Sequence, residues 1–192
     1  MRRNTTAVSV AIGMVLAVLS APALAGERAG VKMPDSLQVA GKKVVLNGLG
    51  VREATMFNVD VYVAGLYLEQ PSRDAAKILA SEEEVKVLHL RFVRDVGRDD
   101  VVSSFTDGFK KNASDLVPAI RPRISQFTSW MPSFEDGSTI TLTYVPDEGT
   151  RVAVNGRMKG TIKGADFARA LFAIWLGPRP PNSGLKRGLL GR

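Results

Sequence analysis

The chain has 192 residues, a length that suits a single domain, and its 45% hydrophobic and 23% charged residues are an ordinary globular mixture. It contains no cysteine and only one histidine, His89. The sequence therefore excludes disulfides, thiolate nucleophiles, cysteine-ligated zinc, iron–sulfur clusters and metal sites built from several histidines. We expect neither a metal nor a cofactor.

The net charge is +7 at pH 7, from 26 Lys and Arg against 19 Asp and Glu. The basic residues are spread along the chain, and acidic residues such as those at 82–84 lie among them. A dispersed excess of this size favours solubility. We therefore expect no nucleic-acid partner.

The first 25 residues have the pattern of a secretory signal peptide. Arg2 and Arg3 precede an apolar run at 7–19, and Ala23-Leu24-Ala25 supplies small residues before a cleavage site after Ala25. The alternative is a transmembrane anchor, but this run is shorter than the roughly 20 residues that a helix needs to cross a bilayer. We therefore expect a periplasmic or secreted protein that does not span the membrane.

The next segments predict a leader followed by β-structure. Residues 26–36 are interpreted as an N-terminal leader, of which 26–34 is expected to be loose. Two β-rich runs within 37–47 break at Ala40-Gly41, which predicts a hairpin. Residues 50–69 are rich in β-branched and aromatic side chains and predict two long neighbouring strands that turn near Asn58. Both faces of the second strand are largely apolar, so we expect it to be central and covered on both sides.

Further along the chain, the hydrophobic period alternates between two residues and 3.6 residues. A strand over 84–93 follows a short helix that Ser72 is expected to cap. The predicted helices are 73–80, 98–113, 116–130, 165–176 and 185–190, and the remaining strands are 139–145, 151–155 and 158–162, with a hairpin turn at Gly156-Arg157. This order predicts one α+β domain over 37–192, with an antiparallel sheet and helices packed on one face.

Three short features invite a chemical interpretation, and each has a simpler structural one. His89 has no evident orienting carboxylate, and the sequence has no Gly-x-Ser-x-Gly nucleophile, which favours an ordinary sheet residue over a general base. Asp99-Asp100 lacks calcium-loop spacing, and acidic residues at a helix start are stabilised by the helix dipole. No helix that could bind a phosphate at its N-terminus follows Gly48 and Gly50. This favours a hairpin with positive φ over a nucleotide-binding loop.

Arg52 is the strongest candidate for binding. It lies among apolar residues of a predicted strand, and an arginine facing an apolar interior must be paired, because burying its charge alone costs several kcal/mol. Its planar group of donors suits a carboxylate or another oxyanion. From the pattern alone, a ligand role, an ion pair with Glu53 or Asp60, and a solvent-facing side chain all stay open.

Three segments resemble the chalcone isomerase family: GVREATMFNVDVYVAGLYLE at 50–69, LRFVRDVGRDDVVSSFTDGFKKN at 90–112 and FARALFAIWLGPRPPNSGLKRGLLG at 167–191. The resemblance extends over about residues 39–191. It implies an open-faced β-sandwich, in which a long antiparallel sheet carries helices on one side and a ligand cleft lies between them.

The family implies two kinds of site. Plant chalcone isomerases close a chalcone to a flavanone with an arginine and a network of tyrosine, threonine and asparagine. Fatty-acid-binding relatives hold a carboxylate with an arginine and a tyrosine on neighbouring strands, and bury the acyl tail between sheet and helices.

Position by position, the resemblance places Arg52 at the arginine that both groups share. Tyr62 falls at the tyrosine of the fatty-acid binders, where the isomerases have a threonine. Asn112 matches the isomerase asparagine, whereas Phe105 and Ile174 stand where the isomerases have a tyrosine and a threonine. Both fatty-acid positions are therefore kept, while Tyr62, Phe105 and Ile174 depart from the isomerases.

Together these observations predict an exported, noncatalytic protein that binds a fatty acid or a similar amphipathic carboxylate. Arg52 is the expected anion anchor, Tyr62 the hydroxyl donor and Asn112 a polar neighbour. Three side chains are expected to form the apolar wall: Phe105, Leu171 and Ile174. The alternatives are an intramolecular lyase acting on an enone-like substrate, with Arg52 and Asn112 as catalytic residues, and a scaffold for a protein partner.

Overall fold

The computed structural model describes residues 24–54 and 59–192. Apart from Leu24 and Ala25, the predicted signal peptide lies outside the described residues, and so does the expected turn near Asn58. In the described part of the chain, no helix has both the length and the apolar character needed to cross a bilayer.

The strands of the described residues form two antiparallel sheets. Two short strands, β1 (Leu24–Arg28) and β2 (Val31–Pro34), make a separate hairpin. The main sheet has seven strands that pair antiparallel in chain order: β3 (Ser36–Val39), β4 (Lys42–Ala54), β5 (Val59–Leu68), β6 (Lys86–Phe92), β7 (Thr139–Val145), β8 (Gly149–Val154) and β9 (Arg157–Ile162). Each strand therefore pairs with the next one along the chain, with α-helical insertions between β5 and β6 and between β6 and β7.

Helices cover one face of the main sheet. They are α1 (Ala75–Ala80), α2 (Arg98–Asn112), α3 (Val117–Ser129), α4 (Ala165–Leu176) and α5 (Ser183–Leu189). Nine residues of α4 are buried, since its sequence is apolar almost all round, and it contacts the other four helices as well as β8. The predicted α+β architecture, with an antiparallel sheet and helices on one face, is confirmed.

Both faces of β5 are covered, as the sequence predicted. Ala64, Leu66 and Leu68 point into the helical core, while Val63 lies in a smaller cluster on the opposite face with residues of β2. Met33 of β2 occupies the space over Gly65 where a side chain would otherwise lie.

The leader expected to be loose is therefore part of the fold. Residues 24–34 form the β1–β2 hairpin, and Val31 and Met33 are buried against the sheet. Ala29 and Gly30 both have positive φ and form the turn of this hairpin. The apolar residues that alternate after the turn explain why β2 pairs with β1 and packs on the sheet. The prediction that residues 26–34 are loose is wrong.

Gly48 and Gly50 lie inside β4 and do not have positive φ. A Cβ at Gly48 would collide with the backbone oxygen of Gly188, and one at Gly50 with that of Leu185. These glycines allow α5 to lie directly on β4, so the expected positive-φ hairpin at this point is wrong.

Asp74, rather than Ser72, caps α1. The Asp74 carboxylate accepts hydrogen bonds from the backbone N–H groups of Ala76 at 2.9 Å and Lys77 at 3.2 Å. The Ser72 hydroxyl instead accepts from the backbone N–H of Asp74 at 3.2 Å. Both residue types stabilise helix starts, and here the carboxylate is the one placed at the first turn.

The β8–β9 turn lies one residue earlier than predicted. Asn155 and Gly156 occupy its central positions, with φ of 49° and 72°. Positive φ at both positions is what a two-residue hairpin requires, and Asn-Gly meets this at low cost.

Candidate functional site

A cavity of about 570 Å³ opens between the main sheet and the helices, where β4, β5 and β6 face α2 and α4. Ligand pockets commonly have volumes of about 300–1,000 Å³. Its wall includes residues of β4 (Arg52, Ala54), β5 (Val61, Tyr62), β6 (Leu90, Phe92), α2 (Val101, Ser104, Phe105, Gly108), α4 (Ile174, Trp175) and the loop after α4 (Pro180, Pro181). The cavity therefore lies between the sheet and two helices, and its wall includes both apolar and charged side chains.

Arg52 and Tyr62 are direct partners across the β4–β5 pair. Directly opposed residues of antiparallel strands lie on the same face, so both side chains face the cavity. The next pair is Glu53 with Asp60, which leaves Val61 as the extra residue of a β-bulge. Because bulges bend a strand and re-aim its side chains, this one shapes the edge of the cavity.

The Arg52 side chain is partly buried at this edge, not enclosed in the apolar interior. Its guanidinium donates to the backbone carbonyl of Glu53. Among the described residues, no carboxylate lies within 4.0 Å of it. The possible ion pairs with the side chains of Glu53 or Asp60 are therefore not formed, and the guanidinium keeps donors for an oxyanion.

Tyr62 is held from two sides. The indole Nε1 of Trp175 donates to its hydroxyl oxygen at 2.9 Å, and the ring of Phe92 meets the Tyr62 ring edge-on with centroids 5.7 Å apart. Burial raises the pKa of Tyr62 to about 12, an increase that Trp175 and the Arg52 charge partly offset. The group is thus a neutral phenol near pH 7, suited to donating a hydrogen bond and unsuited to acting as a base.

Two of the three expected wall residues line the cavity. Phe105 and Ile174 are part of its wall, and Phe105 packs edge-on against Trp175 with centroids 6.0 Å apart. Leu171 does not line it, because it lies one turn earlier in α4 and is fully buried in the core. The expectation for Leu171 is therefore wrong.

Asn112 also does not line the cavity. Its amide nitrogen donates to the backbone oxygens of Arg179 at 2.9 Å and Gly108 at 3.1 Å. Its amide oxygen accepts from the backbone N–H of Arg179 at 2.8 Å. Asn112 therefore clamps the loop 177–182 onto α2, and the expectation that it lies beside the ligand is wrong.

Several charged residues around the opening were not predicted as site residues. The cavity is lined by three further cations and three anions: Arg94, Lys111, Arg179, Asp95, Asp100 and Asp107. On α2 the spacing of Asp100, Asp107 and Lys111 places them beside the apolar stripe, so the helical period could have identified them. Arg179 follows α4 by three residues and joins them only through the tertiary fold.

His89 lies on the sheet face opposite the helices. Its Nδ1 is 2.9 Å from the hydroxyl of Thr141 on β7, and burial, together with Arg91, lowers its pKa. This placement agrees with the interpretation of an ordinary sheet residue. Within residues 24–54 and 59–192, no group of three or more His, Cys, Asp or Glu is arranged to hold a metal ion.

A search of curated proteins finds no match to this chain. The structure is similar to the crystal structure of a fatty-acid binding protein from Arabidopsis thaliana, with a TM-score of 0.61 and 21% sequence identity. The similarity covers 84% of this chain and 92% of that one, and at this identity it shows the fold.

The family comparison extends over nearly all of the described chain. The model of the chalcone isomerase-like family matches residues 25–191, which include the cavity and every strand of the main sheet. The chain therefore belongs to the chalcone isomerase-like family.

Proposed function

We propose that this protein is an exported, noncatalytic binding protein for a fatty acid or a similar amphipathic carboxylate. The observation that carries the proposal is the pairing of Arg52 with Tyr62 at the edge of a cavity whose wall also includes apolar side chains, Phe105 among them. The guanidinium and the phenol both donate hydrogen bonds, as a carboxylate requires. The fatty-acid binding protein of the same fold supports this choice of ligand.

The apolar wall can supply much of the affinity. A hydrogen bond to a charged group contributes about 1.5–3 kcal/mol, whereas each buried methylene contributes about 0.8 kcal/mol. About two to four buried methylenes therefore match one such hydrogen bond, and about twice as many match the bonds from both Arg52 and Tyr62. Phe105 and Ile174 belong to the wall that such a tail would contact.

Export is the second part of the proposal. The family match begins at residue 25, next to the predicted cleavage site after Ala25. Cleavage there would remove only the Leu24–Pro34 pair from the β1–β2 hairpin and leave the pairs from Gly26 to Arg28 in place.

An isomerase has less support from the geometry. Phe105 and Ile174 provide no hydroxyl to the cavity, and both amide atoms of Asn112 are bound to backbone groups. The loss of one donor that stabilises a transition-state charge typically costs about 10²–10³ in rate. Arg52 and Tyr62 are better suited to holding an anion than to accelerating a cyclisation.

Binding of hexadecanoate to the delipidated protein, measured by calorimetry, tests the proposal. We expect Arg52→Ala to weaken binding more than tenfold, because it removes a charge-assisted hydrogen bond. Arg157→Ala is the matched control, since Arg157 is exposed on β9, outside the cavity, and carries the same charge.

Equal affinities in wild type and Arg52→Ala would contradict the anchor role. Equal losses of affinity in both variants would show that the effect comes from net charge and not from the position of Arg52. Chalcone turnover that is lost in Arg52→Ala would favour the isomerase instead. If the wild-type protein showed no binding and no turnover, that result would favour a scaffold.

A further inference from the structure

The hydrogen bond between Trp175 and Tyr62 has an unambiguous direction. An indole N–H can only donate, so the Tyr62 oxygen must be the acceptor in this 2.9 Å contact. Trp175 is itself 2% exposed, and its N–H would lose its partner inside the protein if Tyr62 turned away. Leaving a buried donor unpaired is costly, so the contact holds the hydroxyl oxygen in place.

The remaining proton of the Tyr62 hydroxyl is consequently directed elsewhere. No other hydrogen-bond partner of this hydroxyl is found within residues 24–54 and 59–192. Because Tyr62 lines the cavity, its proton is available to a group inside it. Trp175 thereby makes the tyrosine a donor toward the cavity.

The tryptophan ring is fixed by its surroundings. It lies at the buried end of α4 and meets Phe105 of α2 edge-on. The Tyr62 ring is supported in turn by Phe92, whose ring stacks on that of Phe134 with centroids 4.4 Å apart. These ring contacts hold the Tyr62 and Trp175 side chains in place before any ligand enters.

We propose that Trp175 is a positioning residue that makes the Arg52–Tyr62 site a donor-only site, selective for head groups with a proton-free oxygen, such as carboxylates. This inference rests on the proposed function and deepens it. Arg52 has no acceptor atom, and Trp175 occupies the acceptor side of Tyr62. The hydroxyl oxygen of a fatty alcohol can accept from both side chains, but its own proton finds no acceptor at either of them, so it is satisfied less well than a carboxylate.

Binding of decanoate and decanol to four proteins tests this inference: the wild type, Tyr62→Phe, Trp175→Phe and the double variant. In the wild-type background, we expect Tyr62→Phe to weaken decanoate binding about tenfold. In the Trp175→Phe background, the same change should cost about threefold, because the hydroxyl is no longer held as a donor. Trp175→Phe should also reduce the preference for decanoate over decanol about threefold.

Trp130→Phe is the matched control, since Trp130 lies outside the cavity wall, and it should leave the preference unchanged. If Trp175→Phe does not fold, benzothienylalanine at position 175 keeps the ring shape and removes only the N–H donor. The same reduction in coupling and in preference is expected.

If Trp175 only packs, Trp175→Phe should weaken the binding of both ligands equally and leave the cost of Tyr62→Phe unchanged. This result would overturn the inference. The proposed function would survive that result if Arg52→Ala still weakened decanoate binding. Absence of decanoate binding in the wild type would overturn the proposed function and this inference together.

Discussion

Lys86 is a buried cation whose charge should make the stability of the protein depend on pH. It is 3% exposed, and its Nζ donates to the backbone oxygens of Ile78 at 3.0 Å and Ser81 at 2.5 Å, at the end of α1. The ammonium also lies 5.0 Å from the ring centroid of Tyr144. Among the described residues, no carboxylate lies within ion-pair distance of it.

Burial lowers the pKa of Lys86 from 10.5 to about 8, although Glu84 and Glu82 oppose the change. Between these two pH values the unfolded state binds more protons than the folded state, so the free energy of unfolding rises with pH. One pKa unit corresponds to about 1.4 kcal/mol, and the whole difference therefore corresponds to about 3 kcal/mol. Well below pH 8 both states are protonated, and Lys86 adds no pH dependence.

Urea unfolding of the wild type and Lys86→Met at pH 7 and pH 9.5 measures this effect. We expect the wild type to gain about 2 kcal/mol relative to the variant over this interval, which is the part of the titration completed by pH 9.5. Taking the difference between the two proteins removes contributions shared by both, including that of Tyr67, whose pKa is raised to about 12. Parallel stabilities at the two pH values would refute the reasoning, because the ammonium would then be as well stabilised in the fold as in water.

Two further predictions concern the loop after α4 and the N-terminus. Asn112→Ala should destabilise the protein by about 1–2 kcal/mol and speed hydrogen exchange in residues 177–182, since two hydrogen bonds to the Arg179 backbone are lost; unchanged exchange would contradict the clamp. N-terminal sequencing of protein recovered from the cell exterior or periplasm should begin at Gly26; an intact Met1 there would contradict cleavage.

The spacing of hydrophobic residues along the chain predicted most of the secondary structure correctly. The strand over residues 139–145 and the helix over 165–176 match β7 and α4, because strong alternation or strong helical periodicity leaves few options for burial. The β1–β2 hairpin was missed because its strands are only four or five residues long. Its stability depends on the sheet face that it covers, and local sequence does not report that contact.

The candidate site was only partly predictable, for reasons that differ between residues. Arg52 and Tyr62 belong to neighbouring strands, so local hairpin geometry places them together. Asn112 lies on the expected face of α2, but its partner Arg179 is 67 residues away, and no sequence pattern connects the two. Leu171 and Ile174 share a helix that is buried almost all round, so its periodicity does not reveal which side meets a cavity.

A crystal structure of the protein with bound hexadecanoate tests the central claim most directly. We expect the carboxylate to lie within hydrogen-bond distance of the Arg52 guanidinium and the Tyr62 hydroxyl, with the acyl chain against Phe105 and Ile174. A fatty acid bound with its carboxylate at Lys111 or Arg179, or bound outside the cavity, would contradict the account.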